Sequence, residues 1–252
     1  KMLSLENKII IPNQEQKTAD SSICLYEGDY VVKNIVVPED MIKAYQLRHV
    51  VFCHELGWVT QSENGLEIDN YDGHAVFFGV FDMQNWLLAH MRLITAENDF
   101  MIEKEFLSLV GNGHKIRKEP DTVELTRLCV TSEARTYRIF SEFGSYDIFS
   151  LLVKGIYHWC LKNHIEYVYA VTDNMVYRLA HIKGLPFKLI DKPHTMPDGV
   201  VAVGVIMNWR EFEDINRVKK PKRLEWFTQY QSVPVQWQQP QPAPWLQHQV
   251  FA

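Results

Sequence analysis

The sequence predicts an α/β (α+β) fold, in which helices cover both faces of a mixed β-sheet. Strand-like apolar runs dominate the first half of the chain, whereas strands alternate with helices in the second half. The chain has 252 residues, of which 46% are hydrophobic, and this is ample for a single packed core.

The first predicted element is a helix over residues 38–57. It begins at Pro38, and Glu39 and Asp40 lie in its first turn, where the helix dipole stabilises negative charge. Residues 59–73 mix Gly, Asn, Asp and Ser with few apolar residues, which predicts a long loop. Long loops in compact domains are often functional.

The elements that follow are predicted from apolar periodicity. The runs 75–81 and 86–94 are typical of a β-hairpin, because only a short polar segment separates them. Residues 143–163 have apolar side chains at helical spacing, and Gly184 ends the helix that comes later. The other predicted elements are helices over residues 102–110 and 174–183 and strands over residues 122–130, 166–172 and 200–207.

Composition divides the chain into three parts. Residues 31–210 form the predicted domain, and residues 1–30 form an N-terminal extension. Residues 211–252 form a C-terminal extension rich in Pro, Gln and Trp, a composition typical of a disordered tail. Tryptophans are costly to leave in water, so docking on the body or on a neighbouring chain is the alternative. Residues 221–252 of this extension hold the tryptophans Trp226, Trp237 and Trp245.

Charge and composition argue against several classes of function. The net charge of −5, with basic residues concentrated only in residues 217–223, predicts that nucleic acid is not a partner. No run approaches the roughly 20 apolar residues of a membrane span, and the first residues lack a secretory pattern, so we expect a cytoplasmic protein. No metal site or disulfide framework is predicted, because no CxxC pair occurs among the cysteines Cys24, Cys53, Cys129 and Cys160.

Two charged residues, Arg92 and Glu124, stand inside apolar strands. A buried charge is costly unless it is paired, so these residues belong either to a sheet edge or to a buried network. Glu124 and Arg127 are three residues apart, which sends their side chains to opposite faces of a regular strand. We predict a β-bulge between them, which would bring both side chains to one face.

A longer set of residues carries a more specific signal. The runs RHVVF, EIDNYD, MRL and VELTRL occur in that order, with a tryptophan between the first two. This arrangement resembles the acyl-homoserine-lactone synthases, the autoinducer synthases of quorum sensing, over roughly residues 36–207. The residues that match the family signature are Arg48, Phe52, Trp58, Asp69, Asp72, Arg92, Glu124 and Arg127.

The resemblance implies a GNAT-like N-acyltransferase fold, with a V-shaped cleft that admits the acyl-phosphopantetheine arm. It also implies the reaction. The amine of S-adenosylmethionine attacks an acyl thioester, and the carboxylate then closes a lactone and expels methylthioadenosine. S-adenosylmethionine is a substrate here, so no cofactor and no metal are expected.

The matching residues receive candidate roles from this resemblance. Glu124 and Arg127 are the catalytic candidates, and Glu124 would act as a base through a water. A modest base suffices, since an α-amino group with a pKa of about 8 loses its proton near pH 7 at a cost of about 1 to 1.5 kcal/mol. The residues expected to bind S-adenosylmethionine, or to brace those that do, are Arg48, Phe52, Trp58, Asp69, Asp72 and Arg92.

The acyl end of the site is expected in the second half of the chain. The candidate residues of the acyl-chain pocket are Phe143, Phe149, Tyr169, Thr172 and Met175. The strand 122–130 is not followed by closely spaced glycines, which favours acyl carrier protein over acyl-CoA as the donor. An acidic carrier would dock on basic residues, for which the candidates are Arg135, Arg138, Lys154 and the run 217–223.

Two other functions are compatible with parts of this pattern. A related N-acyltransferase would acylate a free amino acid and form no lactone, but it would need no site for adenine or a sulfonium. An inactive family member would serve as an acyl-carrier or lipid-binding module. The presence of Glu124 and Arg127 argues against that loss of activity.

Overall fold

The computed structural model describes residues 21–234 of the chain. The strands are β1 (Cys24–Glu27), β2 (Tyr30–Asn34), β3 (Ala75–Asp82), β4 (Leu87–Thr95), β5 (Thr122–Val130), β6 (Arg138–Ser141), β7 (Gly144–Asp147), β8 (Tyr167–Asp173), β9 (Lys188–Leu189), β10 (His194–Thr195) and β11 (Val201–Asn208). The α-helices are α1 (Pro38–Arg48), α2 (Met101–Lys104), α3 (Ile148–Lys162), α4 (Asn174–Ile182), α5 (Trp209–Lys219) and α6 (Pro221–Thr228).

One large mixed sheet organises the molecule. Its strand order is β1-β2-β3-β4-β5-β8-β11-β10, with β9 also paired to β11, whereas β6 and β7 form a separate hairpin. The pair β5–β8 is parallel, and the other neighbours in the large sheet are antiparallel. Helices pack on both faces, so the predicted fold class is confirmed.

The parallel pair separates part of the way along its length. Register pairs run only from Thr122↔Tyr167 to Leu125↔Ala170, although β5 continues to Val130 and β8 to Asp173. The two strands therefore diverge beyond Leu125. This opening is the V-shaped cleft expected from the family resemblance.

Each face of the sheet has its own apolar core. On one face α3 lies against β2, β3 and β4, with Trp159 packed edge-on to Phe78. Gly155 permits this close approach, because a Cβ there would meet the side chain of Val32 at 2.4 Å. On the other face α1 lies against β4 and β5, with Tyr45 packed edge-on to Phe77.

The bulge predicted in β5 is confirmed. His90 pairs with Cys129 and Arg92 pairs with Thr126, so an interval of two residues on β4 lies opposite an interval of three residues on β5. Arg127 occupies the extra position and has a φ of +57°. The change of backbone direction turns its side chain to the face that also carries Glu124.

Several boundaries differ from the prediction. The helix expected over residues 38–57 is α-helical only to Arg48 and continues as a π-helical turn over His49–Glu55. The helix expected from residue 143 begins at Ile148, because the Asp147 carboxylate accepts the N–H of Ser150 and caps the first turn. The hairpin of β6 and β7 takes up the preceding residues.

Both predicted extensions contribute to the folded body. Within the N-terminal extension, β1 pairs with β2 at the edge of the sheet. Within the C-terminal extension, the Trp226 ring of α6 is buried and stacks on Tyr146 at 3.9 Å between centroids. The docking alternative therefore describes this part of the extension. Trp237 and Trp245 lie outside the described residues.

The helices between residues 21 and 234 are too short or too polar to cross a lipid bilayer.

Candidate active site

A buried ionic network lies where α1, β4 and the bulge of β5 meet the loop before β3. Three arginines and three carboxylates form it, so their formal charges balance. The long loop predicted at residues 59–73 supplies all three carboxylates. The members of the network are Arg48, Arg92, Arg127, Glu67, Asp69 and Asp72.

Asp72 is the centre of this network. Its Oδ1 accepts hydrogen bonds from Arg48 Nη1 at 2.7 Å and from Arg92 Nη1 at 2.6 Å, and its Oδ2 accepts the backbone N–H of Asp69 at 2.8 Å. Asp72, Arg48 and Arg92 have no solvent exposure. Because no face of these three side chains is open, the other members of the network form its exposed surface.

Glu67 is a member of the network that the sequence reasoning missed. Its carboxylate accepts Arg48 Nε at 2.5 Å and Arg127 Nη2 at 3.0 Å, so it joins two arginines from different elements. Burial alone would raise the pKa of Glu67, but Arg48 and Arg127 outweigh burial and lower it. The available signal was the alternation in E-I-D, which directs Glu67 and Asp69 to the same side of an extended loop.

Asp69 and Arg127 are the members that reach the surface of the network. Their side chains are 19% and 15% exposed, and Arg127 Nη2 donates to Asp69 Oδ2 at 2.8 Å. Burial opposes the charge on Asp69, yet Arg92, Arg127 and Arg48 hold its pKa below the ordinary value. The site therefore presents a permanent carboxylate beside a guanidinium, an arrangement suited to a zwitterionic ligand.

Two aromatic rings form a wall beside these charges. The rings of Phe52 and Trp58 lie 6.3 Å apart between centroids, and the Arg127 guanidinium lies 5.4 Å from the Phe52 ring centre. Trp58 is 43% exposed, whereas Phe52 is buried. Phe52 belongs to the π-helical turn, a local irregularity that is frequent at functional sites. The open indole face is available to a cationic or planar group.

Glu124 is completely buried behind the network. Its carboxylate accepts the backbone N–H of Met101 at 2.6 Å and of Ile102 at 2.9 Å, at the start of α2. Burial raises the pKa of Glu124 to about 7, against the lowering effect of these two donors. The Met101 sulfur contacts Arg92 Nη2 at 3.1 Å, so Met101 lies between Glu124 and the arginines.

An apolar cavity of about 90 Å³ opens on the other side of the diverging strands. Arg127 and Leu128 of the bulge line it, together with side chains from α3, β8, α4 and β11. Phe149 and Thr172 from the predicted acyl pocket also lie in its wall. These two predicted residues are therefore brought together with Arg127.

The structure does not bring the other three predicted pocket residues to this cavity. Tyr169 follows the strand alternation to the opposite face, where its hydroxyl accepts the N–H of Arg117 at 3.1 Å. Met175 is 82% exposed on the outer side of α4. Phe143 lies in the turn between β6 and β7 and lines a separate groove beside Trp226.

The basic residues predicted as a carrier-docking surface are dispersed. Lys154 is buried and pairs with Glu27 at 2.6 Å, so it cannot meet a partner. Arg135 pairs with Glu55 at 2.5 Å, and Arg138 is exposed on β6. In the folded protein, the Lys154 side chain neutralises Glu27 beneath the Trp226 ring of α6. The local sequence does not reveal this pairing.

Comparison with known proteins identifies the family of this chain. Residues 33–215 match the family described as autoinducer synthase. The acyl-homoserine-lactone synthase of Aeromonas hydrophila is 26% identical over 162 residues, which cover 64% of this chain and 76% of that protein.

Solved structures share the fold. The acyl-homoserine-lactone synthase LasI superposes with a TM-score of 0.60 at 18% identity, covering 71% of this chain and 90% of LasI. BjaI, described as a CoA-dependent acyl-homoserine lactone synthase with SAM and isopentyl-CoA, superposes with a TM-score of 0.59 at 17% identity, covering 75% of this chain and 92% of BjaI. With its family match extending over most of the described residues, this chain belongs to the autoinducer synthase family.

Proposed function

We propose that this chain is an acyl-homoserine-lactone synthase that acylates the amine of S-adenosylmethionine and then closes the lactone. The observation that carries the proposal is the position of Arg127. The ionic network and the aromatic wall of Phe52 and Trp58 together form a polar compartment. Arg127 contacts Asp69 in this compartment and also lines the apolar cavity, so the compartment and the cavity meet at the β5 bulge. A zwitterionic amine donor and an acyl thioester can therefore approach one another there.

S-adenosylmethionine matches the chemistry of the polar compartment. Asp69 provides negative potential for its ammonium and sulfonium groups, and Arg127 provides a partner for its carboxylate. The exposed Trp58 ring suits the sulfonium or the adenine, and a cation over tryptophan gains roughly 0.5 to 2 kcal/mol. A plain amino acid would leave this aromatic wall unused, which favours the synthase over an N-acyl amino acid synthase.

The first step forms the amide bond. The neutral amine attacks the thioester carbon, the thiol of the carrier leaves, and one proton must leave the nitrogen. We assign Glu124 as the acceptor of that proton because its pKa of about 7 suits proton transfer near neutral pH. Both of its oxygens already accept backbone N–H bonds, so the proton must reach it by relay. The bulge leaves residues 127 and 128 without register partners on β4, and their N–H groups are suited to polarise the thioester carbonyl.

The second step forms the lactone. The substrate carboxylate attacks its own γ-carbon, and methylthioadenosine leaves as a neutral thioether from the sulfonium. No general acid, metal or further cofactor is needed. The protein must only fold the substrate so that these atoms meet, and such orientation is worth about 7 to 11 kcal/mol.

Acyl carrier protein is the donor that we propose. The glycine-rich turn that would cradle a coenzyme A pyrophosphate is absent after β5, and a hairpin takes its place. The first turn of α3 is already capped by the Asp147 carboxylate, which occupies the backbone N–H of Ser150 that an anion would need. We expect kcat/KM with acyl carrier protein to exceed that with the matching acyl-CoA by at least about tenfold, or 1.4 kcal/mol. Parallel steady-state assays measure this ratio, and an equal or higher value with acyl-CoA would refute the assignment of the carrier.

Mass spectrometry of reaction products tests the function itself. Purified protein, S-adenosylmethionine and a series of acyl thioesters should yield an N-acylhomoserine lactone and methylthioadenosine in equal amounts. An acylated amino acid without methylthioadenosine would instead establish the related N-acyltransferase. A folded protein that binds acyl donors and forms no product would establish the inactive binding module.

Replacing Glu124 by glutamine tests the proton acceptor. We expect kcat to fall by about 100-fold or more at pH 8. As the pH falls through about 7, protonation of Glu124 should add to the decline in rate that protonation of the substrate amine causes, so the decline should be steeper in the wild type than in the variant. Binding of S-adenosylmethionine should persist.

The matched control is Glu97→Gln, which makes the same chemical change on an exposed loop and should retain the wild-type profile. If Glu124 served only to anchor α2, its replacement would lower kcat by the same factor at pH 6 and pH 8.

A further inference from the structure

The aromatic wall stands on a segment with few polar connections to the rest of the protein. Within residues 49–61 the polar contacts are local, as in the bonds from the N–H groups of Trp58 and Val59 to the Phe52 carbonyl. The Cys53 thiol likewise contacts the Thr60 carbonyl. Burial of Val51, Phe52 and Cys53 anchors the middle of the segment. The position of Trp58, which lies beyond that core, depends further on whatever fixes the end of the π-helical turn.

Arg135 provides that connection. Its Nη2 donates to Glu55 Oε2 at 2.5 Å, and Glu55 is the last residue of the π-helical turn. Within the part of the chain that the structure describes, this is the only ion pair that links residues 49–61 to another element. Arg135 itself lies in the 3₁₀ turn Ala134–Thr136, which follows β5.

The same guanidinium also holds the strand that carries the bulge. Its Nε and Nη2 donate to the Val130 carbonyl at 3.2 Å and 3.0 Å, at the last residue of β5. Beyond Leu125 this strand has no register partner on β8. One side chain thus joins the wall beside the amine donor to the strand beside the acyl donor.

We propose that Arg135 is a positioning residue, which holds Phe52 and Trp58 against the bulged strand through its ion pair with Glu55. This inference rests on the proposed function, because it assigns the aromatic wall to the S-adenosylmethionine site. Arg135 touches no reacting atom. From its turn after β5, it sets the width of the polar compartment that holds the amine donor.

The variants Arg135→Gln and Glu55→Gln test the inference. Each should raise the KM and the dissociation constant for S-adenosylmethionine by about 2- to 5-fold, the effect of losing one half-exposed ion pair, while kcat and the KM for the acyl donor change less. The KM of the wild type should rise with salt concentration more steeply than that of the variants, because salt screens the Arg135–Glu55 pair only where it is present.

A charge exchange and a distant ion pair complete the design. Arg135→Glu combined with Glu55→Arg should recover part of the lost affinity, because it restores the ion pair but not the bonds to the Val130 carbonyl. A loss unrelated to the ion pair would show no such recovery. The control is Arg210→Gln on α5, which breaks an exposed pair with Glu166 and should leave both KM values unchanged.

Calorimetry with S-adenosylmethionine gives the affinity without turnover. Wild-type affinity in both single variants would overturn the inference, as would a rise confined to the KM for the acyl carrier protein, which would assign Arg135 to carrier docking. Absence of lactone from the wild-type protein would instead overturn the proposed function.

Discussion

Replacing Asp72 by asparagine is expected to lower the free energy of unfolding by about 3 to 5 kcal/mol. Asp72 is the buried partner of both Arg48 and Arg92, which have no access to water. Asparagine keeps the size of the side chain but removes the charge, so two buried guanidinium groups would share the two remaining carboxylates with Arg127. Losing one partner of a buried network costs more than the pair contributes, because the other partner remains desolvated.

Chemical denaturation followed by circular dichroism measures this effect. The control is Asp214→Asn, which removes the same charge from an exposed pair on α5 and should change stability by no more than about 1 kcal/mol. A loss below 1 kcal/mol in the Asp72 variant would mean that water or local rearrangement solvates the two arginines.

Replacing Arg127 by glutamine is expected to lower kcat/KM by about 100-fold or more, with a much smaller loss of stability. Arg127 is the residue shared by the polar compartment and the apolar cavity, and part of its side chain is open to solvent. Without it, Glu67 retains its bond to Arg48 and Asp69 retains its bond to Arg92. The network persists, but the substrate carboxylate loses its partner at the bulge.

Lysine at position 127 should restore only part of the activity, since a single ammonium cannot reproduce the planar fork that bonds Glu67 and Asp69 together. Arg210→Gln on α5 is the control, because Arg210 is largely exposed and pairs only with Glu166 among the described residues. Steady-state kinetics and denaturation of the same preparations separate the two effects. Activity of the glutamine variant within about threefold of wild type would remove Arg127 from the site.

The network explains how one constellation serves both folding and chemistry. Its innermost charges are fully desolvated and fix the relative positions of α1, β4 and the preceding loop. Its outermost charges, on Asp69 and Arg127, are held in place by those inner partners and remain available to a ligand. Side chains restrained in this way lose little freedom on binding, which favours precise placement of the substrate.

Much of this organisation is encoded in local pattern. Apolar periodicity predicted the hairpin of β3 and β4 and the long helix α3, because these elements are long and regular. Charged residues inside apolar strands indicated either a sheet edge or a buried network for Arg92 and Glu124, and the structure buries both, Arg92 within the ionic network and Glu124 behind it. At a three-residue spacing, Glu124 and Arg127 can share one site only if the strand is bulged between them, and the strand register confirms the bulge predicted on that ground.

Only the tertiary structure decided which charges are enclosed and which are open. Arg48 and Arg127 are the same residue type, yet Arg48 is fully buried at the end of α1, whereas Arg127 reaches the cleft. The difference arises because the bulge gives Arg127 a positive φ. Some ion pairs join residues that are far apart in the sequence. The separations are 60 residues for Glu67 and Arg127, 127 residues for Lys154 and Glu27, and 80 residues for Arg135 and Glu55. Periodicity reports which face of its own element a side chain occupies, but pairing across elements depends on how those elements pack.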